Sequence, residues 1–194
     1  MATFVILLGP PGSGKGTQAV RLAEQLDLVH VSTGDLFRAM KNEETALARR
    51  VQQILASGAL VPDDIVIDIV QQRLARPDCA AGAIMDGFPR TIAQADAFAA
   101  MLAREFAARV TVVLQLVVSE AEVVRRIQGR AAVEGRTDDS EEVARERFRV
   151  FREQTAPLIE YYTARGLLVE IDGERPIEAI TSDLLGAIRQ RAGS

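Results

Sequence analysis

Short apolar runs alternate with longer stretches of helical periodicity along the chain. Five short runs predict β-strands, at residues 4–8, 28–32, 83–86, 110–118 and 167–171. The first run has no polar gap, which is typical of a strand buried on both faces. Between the runs, apolar residues recur at helical spacing, as at Ala19, Leu22 and Leu26. The alternation predicts an α/β fold, with a doubly wound, parallel, five-stranded sheet that binds ligands beyond the carboxyl ends of its strands.

One part of the pattern lacks a strand between successive helices. A Ser-Thr cap at residues 32–33 opens a short helix, a second helix is predicted from residue 44 to Ser57, and a third begins after a loop at residues 60–64. Residues 33–62 therefore resemble a helical subdomain inserted into the sheet domain. Later helices are predicted at 91–107, from 119 to about 129, from 140 to about 165 and from 176 to about 191. The polar residues 131–139 are predicted to form a loop.

A glycine-rich loop follows the first predicted strand and precedes the first predicted helix. It reads GPPGSGK over residues 9–15, so its backbone N–H groups can approach a phosphate while Lys15 adds a positive charge. Glycine and proline also form ordinary surface turns, but the strand, the six-residue frame, the lysine and the helix together favour a phosphate-binding loop (P-loop). Gly16 stands where most P-loops have Ser or Thr. The usual hydroxyl ligand of Mg²⁺ is therefore missing from its place, and Thr17 becomes a candidate phosphate ligand.

Three further polar residues stand near the predicted carboxyl ends of strands. Asp86 ends the third predicted strand, and an acid there beside a P-loop is typical of a Walker B carboxylate that helps to position Mg²⁺. Arg38 lies one helical turn after Gly34 and is predicted to point toward the ligand. His30 is predicted to be structural rather than catalytic, because no carboxylate lies near it in the sequence.

Composition narrows the class of protein. An apolar content of 48% allows a full core, and a net charge of −4 argues against broad nucleic-acid binding. The single cysteine, Cys79, excludes an internal disulfide framework and fits a reducing cytoplasm. With one histidine and one cysteine, no zinc site is expected. No apolar stretch has the length of a membrane helix, and the opening run is too short for a signal peptide. We therefore expect a cytoplasmic monomer with no nucleic-acid or membrane partner.

Five motifs carry a resemblance to a known family: GPPGSGKGT (9–17), STGDLFR (32–38), DGFPRTIAQ (86–94), RIQGR (126–130) and EGRTDD (134–139). Over nearly its whole length the chain resembles the adenylate kinase family in its short-lid form. The resemblance implies a single kinase domain over 1–194 with a P-loop NTPase-type core at 1–32, 63–130 and 140–194. Residues 33–62 would then be the mobile nucleoside-monophosphate-binding (NMP-binding) subdomain, and 131–139 a short lid over ATP. Long-lid members carry an extra β insertion, sometimes with zinc-binding cysteines, which this chain lacks.

The same resemblance assigns roles to individual residues. The residues expected to bind ATP are Gly12, Ser13, Gly14, Lys15, Gly16, Thr17, Arg126 and Gly173. Those expected to bind AMP are Thr33, Gly34, Arg38, Val61, Gly87, Arg90, Gln94, Arg136 and Arg147. The expected catalytic residues are Lys15, Arg90, Arg130, Arg136 and Arg147. Asp86 is expected to hold Mg²⁺ through water.

The implied reaction is ATP + AMP ⇌ 2 ADP, and the residue types suit its chemistry. The attacking phosphate oxygen of AMP is already ionised near neutral pH, so no general base is needed. The obstacle is the meeting of two polyanions, which positioning and positive charge can overcome. Arginine is suited to this task because its planar guanidinium group can donate two hydrogen bonds to phosphate oxygens at once. A lid that closes over both substrates would exclude water from the γ-phosphoryl group.

Two rival functions remain open. UMP and CMP kinases share the P-loop and a similar lid, but those relatives tend to have a small residue in place of Thr33 and asparagine in place of Gln94. A Gln94 amide offers both a donor and an acceptor to the adenine edge, which favours AMP. A P-loop switch such as a GTPase would need a base-reading Asn-Lys-x-Asp motif, which the sequence does not contain. Phosphorylation of AMP, CMP, GMP and UMP compared side by side would separate these functions.

Overall fold

A computed structural model describes residues 2–40, 43–134 and 141–193. Within these residues a single sheet has the strand order β2-β3-β1-β4-β5, and every neighbouring pair is parallel. The strands are β1 (Thr3–Leu8), β2 (Val29–Ser32), β3 (Gly82–Asp86), β4 (Val110–Val117) and β5 (Leu168–Asp172). This architecture confirms the predicted α/β class and the five-stranded parallel sheet.

Helices cover the sheet and several begin at a polar cap. Their bounds are α1 (Lys15–Leu26), α2 (Thr33–Ala39), α3 (Ala46–Ser57), α4 (Asp63–Leu74), α5 (Ile92–Phe106), α6 (Glu120–Glu134), α7 (Glu141–Val150), α8 (Pro157–Thr163) and α9 (Ile177–Ala192). Ser32 caps α2 by accepting a hydrogen bond from the Asp35 N–H at 3.2 Å. Thr45 caps α3 and Thr91 caps α5 in the same way, at 3.0 and 3.2 Å. None of the described helices has the length and apolar composition needed to cross a bilayer.

Two helix boundaries differ from the prediction. Helix α6 continues past Gly129 to Glu134, so residues 131–134, expected in the lid loop, are helical. A glycine inside a helix costs only about 1 kcal/mol, and the alanines at 131 and 132 favour helix, so Gly129 does not stop it. The long helix expected from 140 to about 165 is divided into α7, a π-helical turn at Phe151–Thr155, and α8. Pro157 begins α8, because a proline cannot donate the backbone hydrogen bond that would continue the preceding helix.

The core lies on both faces of the sheet, as the first apolar run predicts. Phe4, Ile6 and Leu8 pack on one face, and Val5 and Leu7 pack on the other. All of these side chains are at most 3% exposed. Because helices cover both faces, the loops at the carboxyl edge of the sheet are left to form the ligand site.

Register brings the candidate site together at that edge. In the ladder between β1 and β3, Leu7 pairs with Asp86, and in the ladder between β2 and β3, Ser32 pairs with the same residue. The P-loop, the start of α2 and the segment after β3 therefore leave the sheet side by side.

Candidate active site

The carboxyl ends of β1, β2 and β3 open into a cleft of about 770 Å³. Most of the site residues expected from the motifs line it. They are Gly12, Gly14, Lys15, Gly16, Thr17, Thr33, Gly34, Arg38, Val61, Asp86, Gly87, Arg90, Gln94, Arg126 and Arg147. Arg136 lies outside the described residues, and so does the side chain of Arg130. The structure thus brings residues from several distant segments of the chain to one cleft.

The P-loop is shaped by glycines and by the side chain of Lys15. The Lys15 ammonium group donates to the carbonyl oxygens of Gly9 at 2.8 Å and Pro10 at 2.9 Å. Gly12 has a φ of 79°, and a Cβ atom there would lie 2.9 Å from Cγ1 of Ile127. Position 12 therefore needs glycine both for its backbone conformation and for its close packing on α6.

At Gly16 the P-loop lies close to Asp86, the acid at the end of β3. A Cβ atom on Gly16 would lie 3.6 Å from Oδ2 of Asp86, an ordinary contact distance, so a side chain is not sterically excluded. Thr17 is exposed. Burial acts to raise the pKa of Asp86, but the approach of His30 and the charges of Lys15 and Arg90 outweigh it, and the pKa lies below its ordinary value. Asp86 is therefore an ionised carboxylate beside the P-loop at neutral pH.

His30 contacts this carboxylate, which sequence reasoning missed. Its Nε2 lies 3.4 Å from Asp86 Oδ2, without the alignment of a good hydrogen bond. The two residues lie on neighbouring strands and are far apart in the sequence. The prediction that His30 has a structural role rested on the absence of a carboxylate nearby in the sequence. The structure brings Asp86 close to His30 in space, and the role of His30 stays a prediction.

Arg38, Arg90 and Arg147 line the same cleft as the P-loop. The Arg90 Nε–H donates to the carbonyl oxygen of Gly87 at 2.8 Å, and Arg38 forms an ion pair with Asp35 at 2.5 Å. Desolvation lowers the pKa of Arg90, Asp86 opposes that effect, and the charges of Arg147 and Arg38 lower the pKa further. The guanidinium remains charged, because an arginine is not deprotonated in a protein. The charges of Arg38 and Arg147 thus act on Arg90 within the cleft.

A network of uncharged and acidic groups lies beside the arginines. The Thr33 hydroxyl donates to the carbonyl oxygen of Gly87 at 2.9 Å. The buried Gln94 amide donates to Asp63 Oδ1 at 2.7 Å and accepts from the Arg90 N–H at 2.7 Å. Sequence reasoning missed Asp63, which had been assigned only to the loop that opens a helix. No local pattern marks it, since its partner Gln94 lies 31 residues away.

Arg126 joins three segments at the P-loop end of the cleft. Its Nη1 donates to Ser13 O at 3.3 Å and its Nη2 to Gly173 O at 2.9 Å, while its Nε donates to Glu122 at 2.6 Å. Bonds from Arg125 and Arg126 lower the pKa of Glu122 to about 2, so the acid remains charged near neutral pH. The two expected ATP-site residues that do not line the cleft, Ser13 and Gly173, are thus held next to it.

Comparison with known proteins identifies the family. A family model described as adenylate kinase matches residues 7–167. The chain belongs to the adenylate kinase family. A protein named adenylate kinase from Thermobifida fusca (strain YX) is 49% identical over 188 residues, covering 97% of this chain and 99% of that protein. Proteins of the same name from Phenylobacterium zucineum (strain HLK1) and Stenotrophomonas maltophilia (strain K279a) are 46% and 44% identical, each over 95% of this chain and over 96% and 98% of their own lengths.

Membership of the adenylate kinase family confirms the identification made from the five motifs and the P-loop NTPase-type fold. The match covers the P-loop, the helices after β2 and the arginine-bearing helices α6 and α7. The motif arguments therefore reached the right family from short segments, because each segment combines at least one glycine with at least one charged residue.

Proposed function

We propose that the chain is an enzyme, a nucleoside monophosphate kinase that catalyses ATP + AMP ⇌ 2 ADP. The observation that carries the proposal is the meeting of Arg38, Arg90 and Arg147 with the P-loop lysine around one cleft. Such a concentration of positive charge suits a pair of polyphosphate ligands, because each phosphate offsets the repulsion between the cations. Membership of the adenylate kinase family supports the same reaction.

In this proposal, the cleft has two ends with different tasks. The P-loop end would bind ATP through Gly12, Ser13, Gly14, Lys15, Gly16 and Thr17, with Arg126 and Gly173 beside the base. The other end would bind AMP through Thr33, Gly34, Arg38, Val61, Gly87, Arg90, Gln94, Arg136 and Arg147. The support is that the described members of both sets line or border one cleft.

Phosphoryl transfer in this site would depend on positioning and charge. The acceptor is an ionised phosphate oxygen, so the reaction needs no side chain to remove a proton. Lys15, Arg90 and Arg147 would compensate the charge on the transferring group, together with Arg130 and Arg136. Their fixed positive charges would stabilise the transition state more than the separated substrates.

The donor set at Asp86 fits Mg²⁺. An ionised carboxylate oxygen is the type of ligand that Mg²⁺ prefers, and Mg²⁺ commonly retains waters and shares few protein ligands with phosphates. Among the described residues no cluster of three or more metal-binding side chains occurs. We propose that Asp86 would hold Mg²⁺ through water. When bound, the ion would neutralise charge on the phosphates.

The division into parts is also a proposal. Residues 33–62, which contain α2 and α3, would act as the NMP-binding subdomain, and 131–139 would act as the lid around a single kinase core. We further propose a monomer that works in the cytoplasm without nucleic-acid or membrane partners. The net charge of −4 supports the lack of a nucleic-acid partner.

An acceptor panel tests the proposal. Initial rates with ATP and Mg²⁺ should be highest for AMP and much lower for CMP, GMP and UMP. Arg147→Ala should sharply reduce turnover with AMP. Arg149→Ala provides a matched control, because Arg149 lies on the same helix but is 56% exposed and pairs with Glu146 and Glu153. A preference for a pyrimidine nucleotide, or equal loss of activity in the two variants, would contradict the proposal.

A further inference from the structure

The Gln94 side chain is held in one orientation by two groups, one at each end of its amide. Its Nε2 donates to Asp63 Oδ1 at 2.7 Å, and its Oε1 accepts from the Arg90 N–H at 2.7 Å. The second oxygen of Asp63 accepts from the Thr91 hydroxyl at 2.9 Å. Thr91 in turn accepts from the Gln94 N–H at 3.2 Å, so the network is closed. Gln94 is only 1% exposed, which leaves its amide little freedom to take another arrangement.

The chemistry of the neighbours decides which end of the amide faces which group. An ionised carboxylate only accepts hydrogen bonds, and a backbone N–H only donates them. If the Gln94 amide turned over, its oxygen would face the Asp63 carboxylate and its NH₂ group would face the Arg90 N–H. Both contacts would be lost and replaced by repulsive ones. Asp63 and the Arg90 backbone therefore specify the same orientation.

A fixed amide has a fixed set of remaining contacts. Each bond to the protein uses one of two N–H groups and one of two lone pairs, so Gln94 can still offer one donor and one acceptor. The Watson–Crick edge of adenine presents an acceptor, N1, beside a donor, the 6-amino group. A 6-oxopurine presents the reverse, an N1–H donor beside a carbonyl acceptor. A fixed amide whose donor and acceptor match one of these edges would place donor against donor and acceptor against acceptor on the other edge.

We infer that Asp63 is a positioning residue that sets base specificity, because it holds the Gln94 amide in the orientation that fits a 6-aminopurine and rejects a 6-oxopurine. The inference rests on the proposed function, in which Gln94 faces the base of AMP. Asp63 itself reaches the base only through Gln94. An asparagine at this position would remove the constraint that Asp63 imposes without shortening the side chain, while the Arg90 N–H would keep its own preference. Its amide could accept from Gln94 as Asp63 does, or turn over, donate to the reversed Gln94 amide and still accept from Thr91.

The test compares Asp63→Asn with Asp64→Asn, using AMP and inosine monophosphate as acceptors. Inosine monophosphate is the direct probe because it differs from AMP at the 6-position and at the N1 proton. Asp64 is the matched control, since it is the next residue of α4 and is exposed. The wild-type protein and Asp64→Asn should strongly prefer AMP. In Asp63→Asn the ratio of kcat/KM for AMP to that for inosine monophosphate should fall about 10-fold, as expected when one mismatched buried hydrogen bond is relieved.

A loss of stability alone would not change the ratio of the two kcat/KM values, because both acceptors are measured on the same protein sample. A thermal melt shows whether Asp63→Asn folds, and Asp63→Ala is the second variant if it does not, with the same fall in the ratio expected. An unchanged ratio in a folded variant, beside normal use of AMP by the wild-type protein, would overturn the role of Asp63 and leave the proposed function standing. A wild-type protein that does not prefer AMP would overturn both.

Discussion

Replacement of Gly87 by alanine tests the geometry of the proposed AMP end of the cleft. Gly87 has a φ of 78°, where an L-residue such as alanine is strained by about 1–2 kcal/mol. Its Cβ atom would also lie 2.8 Å from the Thr33 hydroxyl and 3.1 Å from Nη2 of Arg90. Contacts that short require Thr33 and Arg90 to move. The Thr33 bond to the Gly87 carbonyl would be disturbed as well, at a further cost of about 0.5–1.5 kcal/mol.

Gly166→Ala separates the backbone strain from the crowding. Gly166 has a φ of 65°, but no atom lies within 4 Å of the Cβ position there. The backbone strain alone should lower the Tm of Gly166→Ala by about 2–8 °C, since 1 kcal/mol corresponds to roughly 2–4 °C in a chain of this size. Gly87→Ala should melt several degrees lower still, because it adds the displaced contacts.

Kinetics distinguish the two variants further. Gly87→Ala should raise the KM for AMP about 5-fold or more, since displacing an oriented polar contact costs at least ~1 kcal/mol, while the KM for ATP should stay near the wild-type value. Gly166→Ala should change neither KM. The reasoning is refuted if both variants melt together and both retain the wild-type KM for AMP.

Three other substitutions examine the charges of the site. Lys15→Met should lower kcat at least ~10²-fold, as expected on loss of an oriented charge donor, while the thermal melt shows a folded protein; near-normal turnover would count against the P-loop role. Arg136→Ala should lower kcat sharply with little change in Tm, because a charge on the predicted lid loop is expected to be solvated in the free protein and to contribute little to stability. AMP affinity measured without ATP should also change little, because the lid is expected to bring Arg136 to AMP only when it closes over both substrates; normal kcat with weak AMP binding would contradict this role. The pKa of Asp86 is lowered in the folded protein. Its ionised carboxylate therefore stabilises the fold at any pH above the ordinary aspartate pKa of about 4, and this stabilisation is lost as the pH falls through the lowered pKa. In melts from pH 7 downward, the Tm of the wild-type protein should therefore fall toward that of Asp86→Asn at acid pH, and a constant difference would contradict the assignment.

Features with strong local signals were predictable from the sequence. The strand β1, the P-loop and the helix after it follow from a run of apolar residues, closely spaced glycines and a lysine within a short segment. The arginines at 38, 90 and 126 could be placed near the ligand because each belongs to a motif at the end of a strand or on a following helix. Local patterns of this kind can be interpreted from the sequence alone, because residues that are close in the chain are also close in the folded structure.

Long-range contacts were not predictable in the same way. The contacts of His30 with Asp86 and of Asp63 with Gln94 join elements that are adjacent only after the sheet and helices assemble. Helix α6 shows a different limit, because the local stop signal at Gly129 was too weak to end the helix. The partners of Arg126 at Ser13 and Gly173 also come from distant segments. Sequence reasoning can name such a residue, but not the groups that hold it in place.

The central claim is direct transfer of a phosphoryl group between two nucleotides in one cleft, and phosphorus NMR tests it most directly. In a sample of the protein with ATP, AMP and Mg²⁺, the signals of ATP and AMP should fall together while ADP rises by twice the loss of AMP. Starting from ADP and Mg²⁺ alone, ATP and AMP should appear in equal amounts. Growth of inorganic phosphate at the expense of ATP, with AMP unchanged, would mean that water is the acceptor and would contradict the account.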